Sequence, residues 1–241
     1  MRHGKELLKK AANEINIELT DLQIDQFYKY YEMLVEKNKV MNLTAIVDED
    51  EVIIKHFIDS ILSVKVFDFN KIDSLIDVGT GAGFPGIPLK IIFPELNITL
   101  VDSLNKRLNF IKEVIDELKL EKITLVHGRA EDVARDKNHR EKYDVCVSRA
   151  VANLCTLSEY CIPFVKVDGK FISYKSSFSD EEIESAKYAI KVLGGEIISK
   201  EEEHLPESDI DRIFINIKKI NNTPKAYPRK AGTPNRKPLK K

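Results

Sequence analysis

Residues 75–86, Leu-Ile-Asp-Val-Gly-Thr-Gly-Ala-Gly-Phe-Pro-Gly, constrain the fold of this chain more than any other segment. A short apolar run reads as a buried strand, Leu75–Val78, and breaks into a glycine-rich turn just before a helical pattern at 86–92. Gly79, Gly81 and Gly83 let the backbone bend sharply and approach a ligand with no Cβ in the way. Such a strand–turn–helix places a nucleoside-containing cofactor at the carboxyl edge of a parallel sheet.

The surrounding texture agrees. Apolar runs predict further strands at Ile98–Asp102, Ile123–His127, Tyr143–Ser148, Gly169–Lys175, Glu196–Lys200 and Arg212–Ile220. Helical patterns fall at 105–119, 153–165 and 180–193, the last opened by a capping box, Ser179-Asp-Glu-Glu182. Strands alternating with helices predict a doubly wound, mostly parallel sheet covered on both faces. The last two strands are joined by a loop alone, so the final one is expected to run antiparallel and close the sheet with a hairpin. Before residue 70 the pattern is helical. A capping box at Thr20-Asp-Leu-Gln23 precedes Ile24, Phe27, Tyr31 and Leu34, and a second at Asp48–Glu51 precedes Ile54, Phe57, Ile58 and Ile61. The expected organisation is a helical extension over 1–70, an α/β domain over 71–220 and a basic, proline-rich tail over 221–241.

Charge enters through that tail. From Lys218 to Lys241 there are nine Lys or Arg and no acid, while the remaining chain carries 29 basic against 39 acidic residues. An acidic body with a basic end suggests a polyanionic partner, or else a solvated, disordered terminus. Four of the nine prolines follow residue 223, so no regular structure is expected there. No run approaches the roughly 20 apolar residues of a membrane span, and no signal-peptide core follows the N-terminus. The three cysteines form no CxxC pair, which predicts reduced thiols, no metal site and a cytoplasmic protein.

Two cofactor classes compete for the glycine turn. Gly81, Gly83 and Gly86 match the dinucleotide pattern G-x-G-x-x-G, with Asp102 ending the next strand where a ribose-binding acid would sit. The full run, however, is D-x-G-x-G-x-G, which resembles the loop of S-adenosylmethionine-dependent methyltransferases. Pro85 and Pro88 also crowd the turn where a pyrophosphate would seek free N–H groups. Asp102 is then placed to accept from both ribose hydroxyls, or to cap the helix near Asn105. Ala130 and Glu131, in His127-Gly-Arg-Ala-Glu-Asp132, stand where an adenine edge would be read, unless they form only an exposed acidic turn.

The acceptor is constrained by what is missing. Amino-group methyltransferases commonly carry Asn/Asp-Pro-Pro-aromatic after strand four; this chain has Ser148-Arg149-Ala150-Val151. Carbon-5 pyrimidine methylation needs a cysteine nucleophile, and Cys146 lies within an apolar strand. An acceptor that already owns a lone pair, such as guanine N7, needs no general base, so no catalytic residue is assigned. Transfer would then rest on proximity and in-line alignment.

Together the segments MNLTAI (41–46), KHFIDSIL (55–62), LIDVGTGAGFPGIPL (75–89), DSLNKR (102–107), GRAED (128–132), VSRAVANL (147–154) and PKAYPRKAGTPNRKPL (224–239) closely resemble the glucose-inhibited division B family of bacterial 16S ribosomal RNA guanine-N7 methyltransferases. The resemblance implies a class I S-adenosylmethionine-dependent methyltransferase fold with a Rossmann-like sheet of seven strands and an N-terminal helical extension. It implies a guanine of the 530 loop of 16S rRNA, free or in the small subunit, as substrate, and cofactor contacts at Gly79, Phe84, Ala130, Glu131 and Arg149. His56 and Asp59 become candidates near the site. Lys175, Tyr227, Arg229, Lys230, Arg236 and Lys237 become candidate RNA contacts, and a monomer is expected. All the expected cofactor contacts lie between Gly79 and Arg149, so a chain cut after Asn222 is expected to keep its cofactor site. Two alternatives remain: a small-molecule methyltransferase, and a dehydrogenase-type module that would bind NAD instead.

Overall fold

The computed structural model describes residues 2–149, 152–176 and 180–240. The capping residue expected at Ser179 and the Ala150-Val151 half of the acceptor segment lie outside these residues. A seven-stranded sheet forms the centre: β1 (Ser74–Val78), β2 (Asn97–Asp102), β3 (Ile123–His127), β4 (Tyr143–Arg149), β5 (Val165–Lys175), β6 (Gly195–Leu205) and β7 (Ile210–Lys219). Their order is β3-β2-β1-β4-β5-β7-β6. The first five strands are parallel, and β7 pairs antiparallel with both β5 and β6.

Period-two alternation sorts the side chains onto two faces. On β4, Val145 and Val147 enter one core and Cys146 the other. The first core is shared with the N-terminal helices, α1 (Arg2–Glu14) and α2 (Asp21–Met41), through Leu8, Phe27, Tyr30 and Leu34. The extension is therefore part of the same packed body as the sheet. Thr20 and Gln23 complete the expected capping box of α2. The second helical region runs from α3 (Glu49–Val52) through a π-helical stretch, Ile53–Ile58, into α4 (Asp59–Ile61). Residues 53–58 carry His56, and π turns of this kind recur at functional sites.

Between the strands lie α5 (Gly86–Ile92), α6 (Asn105–Leu118), α7 (Ala130–Val133), α8 (Leu154–Cys161) and α9 (Asp180–Val192). Three boundaries differ from expectation. The α-helix expected over 153–165 ends at Cys161 and tightens into a 3-10 turn over Ile162–Phe164, because Pro163 has no N–H to donate to the fourth residue back. β5 accordingly starts at Val165. β6 continues to Leu205 through Glu201-Glu-Glu-His204, residues with no apolar alternation; it is an edge strand, whose charges face water and block further pairing.

The tail is the main correction. It folds back along α8, contains a short helix, α10 (Thr233–Arg236), and packs Tyr227 and Leu239 against the second core. The prolines prevent long elements, yet buried partners on the body hold the segment. Arg140 donates to the carbonyls of Thr223 and Tyr227, and Arg135 to that of Pro228. Glu159, which is fully buried, accepts from the Arg229 N–H and binds its guanidinium through Nε and Nη2. Among the described residues no helix is long and apolar enough to cross a membrane.

Candidate functional site

The glycine turn is held from three sides. Asp77 Oδ2, at the end of β1, accepts from Thr80 Oγ1 (2.7 Å) and the Gly86 N–H (2.9 Å), and burial pushes this carboxyl up to about 7. Tyr30 of α2 donates to the Ala82 carbonyl at 2.5 Å, so the helical extension clamps the loop directly. Asp102 Oδ2, at the end of β2, accepts the Gly81 N–H at 2.9 Å.

The glycines divide by role. Gly81 has φ +63°, and a Cβ there would meet open space; only its backbone geometry demands glycine. Gly83 has φ +106°, and a Cβ would press on Tyr30 Oη at 2.6 Å and Ile87 Cγ1 at 2.8 Å. Gly83 thus serves the packing of the loop under α2, where close approach to a ligand was expected.

A cavity of about 320 Å³ opens at the carboxyl ends of β1, β2 and β3. Gly79, Asp102, Ala130 and Glu131 line it, over an apolar floor of Val78 and Val101, with Tyr160 from α8. Asp102 is 3% exposed. Its Oδ1 accepts the Leu104 N–H at 2.8 Å, so it steadies the turn before α6, while the N-cap position itself falls on Leu104. Each oxygen takes one backbone donor and Oδ2 also meets Arg107 Nη1 at 3.4 Å, so Oδ1 keeps the clearer acceptor capacity for a ribose hydroxyl. Glu131 lines the cavity, and its Oε1 also accepts the Gly232 N–H at 2.7 Å, so one carboxylate oxygen holds the tail. Two further lining residues, Gly232 and Asn235, come from the tail and carry no signal in the sequence. Nothing in a run of Lys, Arg and Pro marks which residues fold inward.

Gly81, Gly83, Phe84 and Arg149 do not line this cavity. Phe84 is committed to an aromatic cluster with Tyr30, Phe57 and His56. Beside that cluster a second cavity of about 240 Å³ brings together Lys55, His56, Asp59, Arg149, Lys175 and Arg212. Asp59 accepts from Arg149 Nη1 at 2.7 Å and from Arg212 Nε at 2.5 Å. Arg212 is likewise unmarked in the sequence; 153 residues of chain separate it from Asp59. Lys175 bonds the Ala152 carbonyl and Glu182.

His56 stacks on Phe84 (4.7 Å between centroids), with Nε2 2.7 Å from Thr44 Oγ1 and Nδ1 3.4 Å from Arg149 Nη2. Burial, then the Arg149 charge, lower its pKa from 6.5 to about 4. The folded protein therefore binds fewer protons at His56 than the unfolded chain between these values, and stability falls as pH drops from about 6.5 towards 4. His56→Gln should flatten that part of the pH profile. Urea unfolding of both proteins at pH 7 and 4.5 checks it; parallel profiles would show that His56 is not the titrating group.

A Rossmann-like sheet closed by an antiparallel hairpin, with a nucleoside-sized cavity beyond β1–β3, defines a class I S-adenosylmethionine-dependent methyltransferase. The same fold is seen in the Methanococcus jannaschii fibrillarin pre-rRNA processing protein (TM-score 0.52, 16% identity, 68% of this chain and 74% of that one). It recurs in M. jannaschii TYW2 in complex with AdoMet (TM-score 0.50, 15% identity, 67% and 77%). The family profile of rRNA small subunit methyltransferase G matches residues 23–210. Proteins of that name from Alkaliphilus oremlandii and Staphylococcus aureus are 52% and 51% identical, over 98% and 97% of this chain and 99% and 98% of theirs. The chain belongs to the rRNA small subunit methyltransferase G family.

The cavity residues fit the cofactor: a buried carboxylate at Asp102 with Oδ1 open to a ribose hydroxyl, and Val78, Val101 and Tyr160 for a flat ring.

Proposed function

We propose that this enzyme methylates N7 of a guanine in the 530 loop of 16S rRNA, in the cytoplasm, without a general base. One observation carries the acceptor reading: the second cavity is cationic and holds no effective base. Asp59 is neutralised by two guanidinium groups, and His56 is depressed to about 4. Such a cavity suits an acceptor atom with its own lone pair, attached to a phosphate backbone.

Bound in the first cavity, S-adenosylmethionine supplies an electrophilic methyl group on a sulfonium. The protein's own contribution is placement. Asp102 and the turn at Gly128–Glu131 fix the nucleoside, and the loop braced by Asp77 and Tyr30 fixes the path towards Phe84. Arg149 lies over the Phe84 ring, its Cζ 5.0 Å from the centroid, which joins the loop to the second cavity. Lys230, Arg236 and Lys237 are exposed along the tail and are assigned to RNA phosphates. Arg229, locked on Glu159, and Tyr227, packed on the core, are withdrawn from that role.

The test is to map N7-methylguanine in rRNA from cells with and without the gene, and to follow methyl transfer in single turnovers on naked 16S rRNA and on assembled subunits. One 530-loop guanine should lose its methyl group, and the transfer rate should stay flat from about pH 6 to 8. A rate that rises with a single ionisation, abolished by His56→Gln, would show that proton transfer matters.

A further inference from the structure

The tail supplies a side chain that the cofactor reading leaves unused. Asn235 lines the first cavity, is exposed, and its amide makes no hydrogen bond with any described residue. Its position is nevertheless fixed. The Gly232 N–H is bound to Glu131, the Pro234 carbonyl accepts from Thr156 Oγ1 at 3.2 Å, and Pro234 is buried. An unpartnered amide on a pinned backbone, facing a ligand-sized cavity, is arranged to meet something polar.

Its place identifies the partner chemistry. Asp102 ends β2 and marks the ribose end. A nucleoside anchored there turns its base towards the turn after β3, Gly128–Glu131, to which Gly232 is bonded. A carboxamide offers one acceptor and two donors in a planar fork, the group that pairs with the amino and ring-nitrogen edge of adenine. We propose that Asn235 reads the adenine edge of the cofactor and sets the preference for adenine over purines with no hydrogen-bonding group at C6. The tail is then the base-side wall of the cofactor site. This inference rests on S-adenosylmethionine occupying the first cavity and is independent of the RNA acceptor.

The experiment is isothermal titration of the full-length protein with S-adenosylhomocysteine and with its purine-riboside analogue, in which a hydrogen replaces the adenine amino group. Asn235→Ala should bind S-adenosylhomocysteine about tenfold more weakly, the usual worth of one such hydrogen bond. The variant's discrimination between the two ligands should shrink by a similar factor. Asn235 is exposed, so the variant should melt with the wild type. Unchanged affinity, or equal loss for both ligands, overturns the assignment. Failure of the wild type to bind either ligand would instead overturn the cofactor reading of the cavity.

Discussion

Cutting the chain after Ala231 should leave a folded protein that has lost most of its affinity for S-adenosylmethionine, whereas cutting after Asn222 should leave one that barely folds. The two cuts separate two jobs of the tail. The shorter deletion removes Gly232 and Asn235 from the cavity and frees Glu131, but keeps Arg229 on Glu159. An affinity loss of at least about tenfold is expected from the missing wall and its amide. The longer deletion also removes Arg229 and leaves the fully buried Glu159 carboxylate without its cation. Stranding one member of a buried pair costs about 3–5 kcal/mol, against a total stability of about 5–15 kcal/mol for a typical domain. Lys219 Nζ would lose Thr223 Oγ1 as well, and Arg140 would lose the tail carbonyls of Thr223 and Tyr227. Titration calorimetry and urea unfolding on both truncations check this. Full cofactor affinity after the cut at Ala231 would exclude the tail from the site and restore the expectation that Gly79 to Arg149 suffices.

Asp59→Ala should be the most damaging single substitution in the second cavity, at about 3–5 kcal/mol of stability. Asp59 is 3% exposed, and it is the carboxylate on which Arg149 and Arg212 converge. Without it two guanidiniums, whose side chains are 14% and 15% exposed, face each other with no compensating charge. Asp59→Asn keeps one acceptor but not the charge, so it should fall between wild type and alanine. Methyl transfer should drop with it, because Arg149 would no longer be held over Phe84. Urea unfolding gives the first quantity and single-turnover kinetics the second. A loss under about 1 kcal/mol for the alanine variant would mean that water already screens the cluster.

How far the sequence can be read depends on how local the physics is. Buried strands alternate or run apolar along their own residues, so the apolar stretches of β1 to β5 are legible from periodicity, and the closing hairpin from the loop that joins its strands, while the charged half of β6 is not. The cap of α2 is legible for the same reason, since Thr20 and Gln23 satisfy each other within one turn. The glycine turn announces a nucleoside site because its backbone geometry depends on the residues at that turn. Asp102, at the end of the next strand, is likewise placed by strand order alone, and it does line the cavity.

Tertiary structure decided the fate of each charge. Arg229 and Lys230 are neighbours of the same sign, yet Arg229 is sealed against Glu159 while Lys230 stays exposed. The difference lies in a carboxylate 70 residues away. Glu131 sits in the cavity wall as expected, but Gly232, 101 residues later, takes one of its oxygens. The resemblance marks His56 only as a candidate near the site; burial and the approach of Arg149 are what lower its pKa from 6.5 to about 4. Local periodicity specifies which backbone forms where, because those hydrogen bonds close within a turn or along a strand. Whether a charge is solvated, paired or buried depends on partners that only the folded chain brings within about 4 Å, where Coulomb and desolvation energies become large.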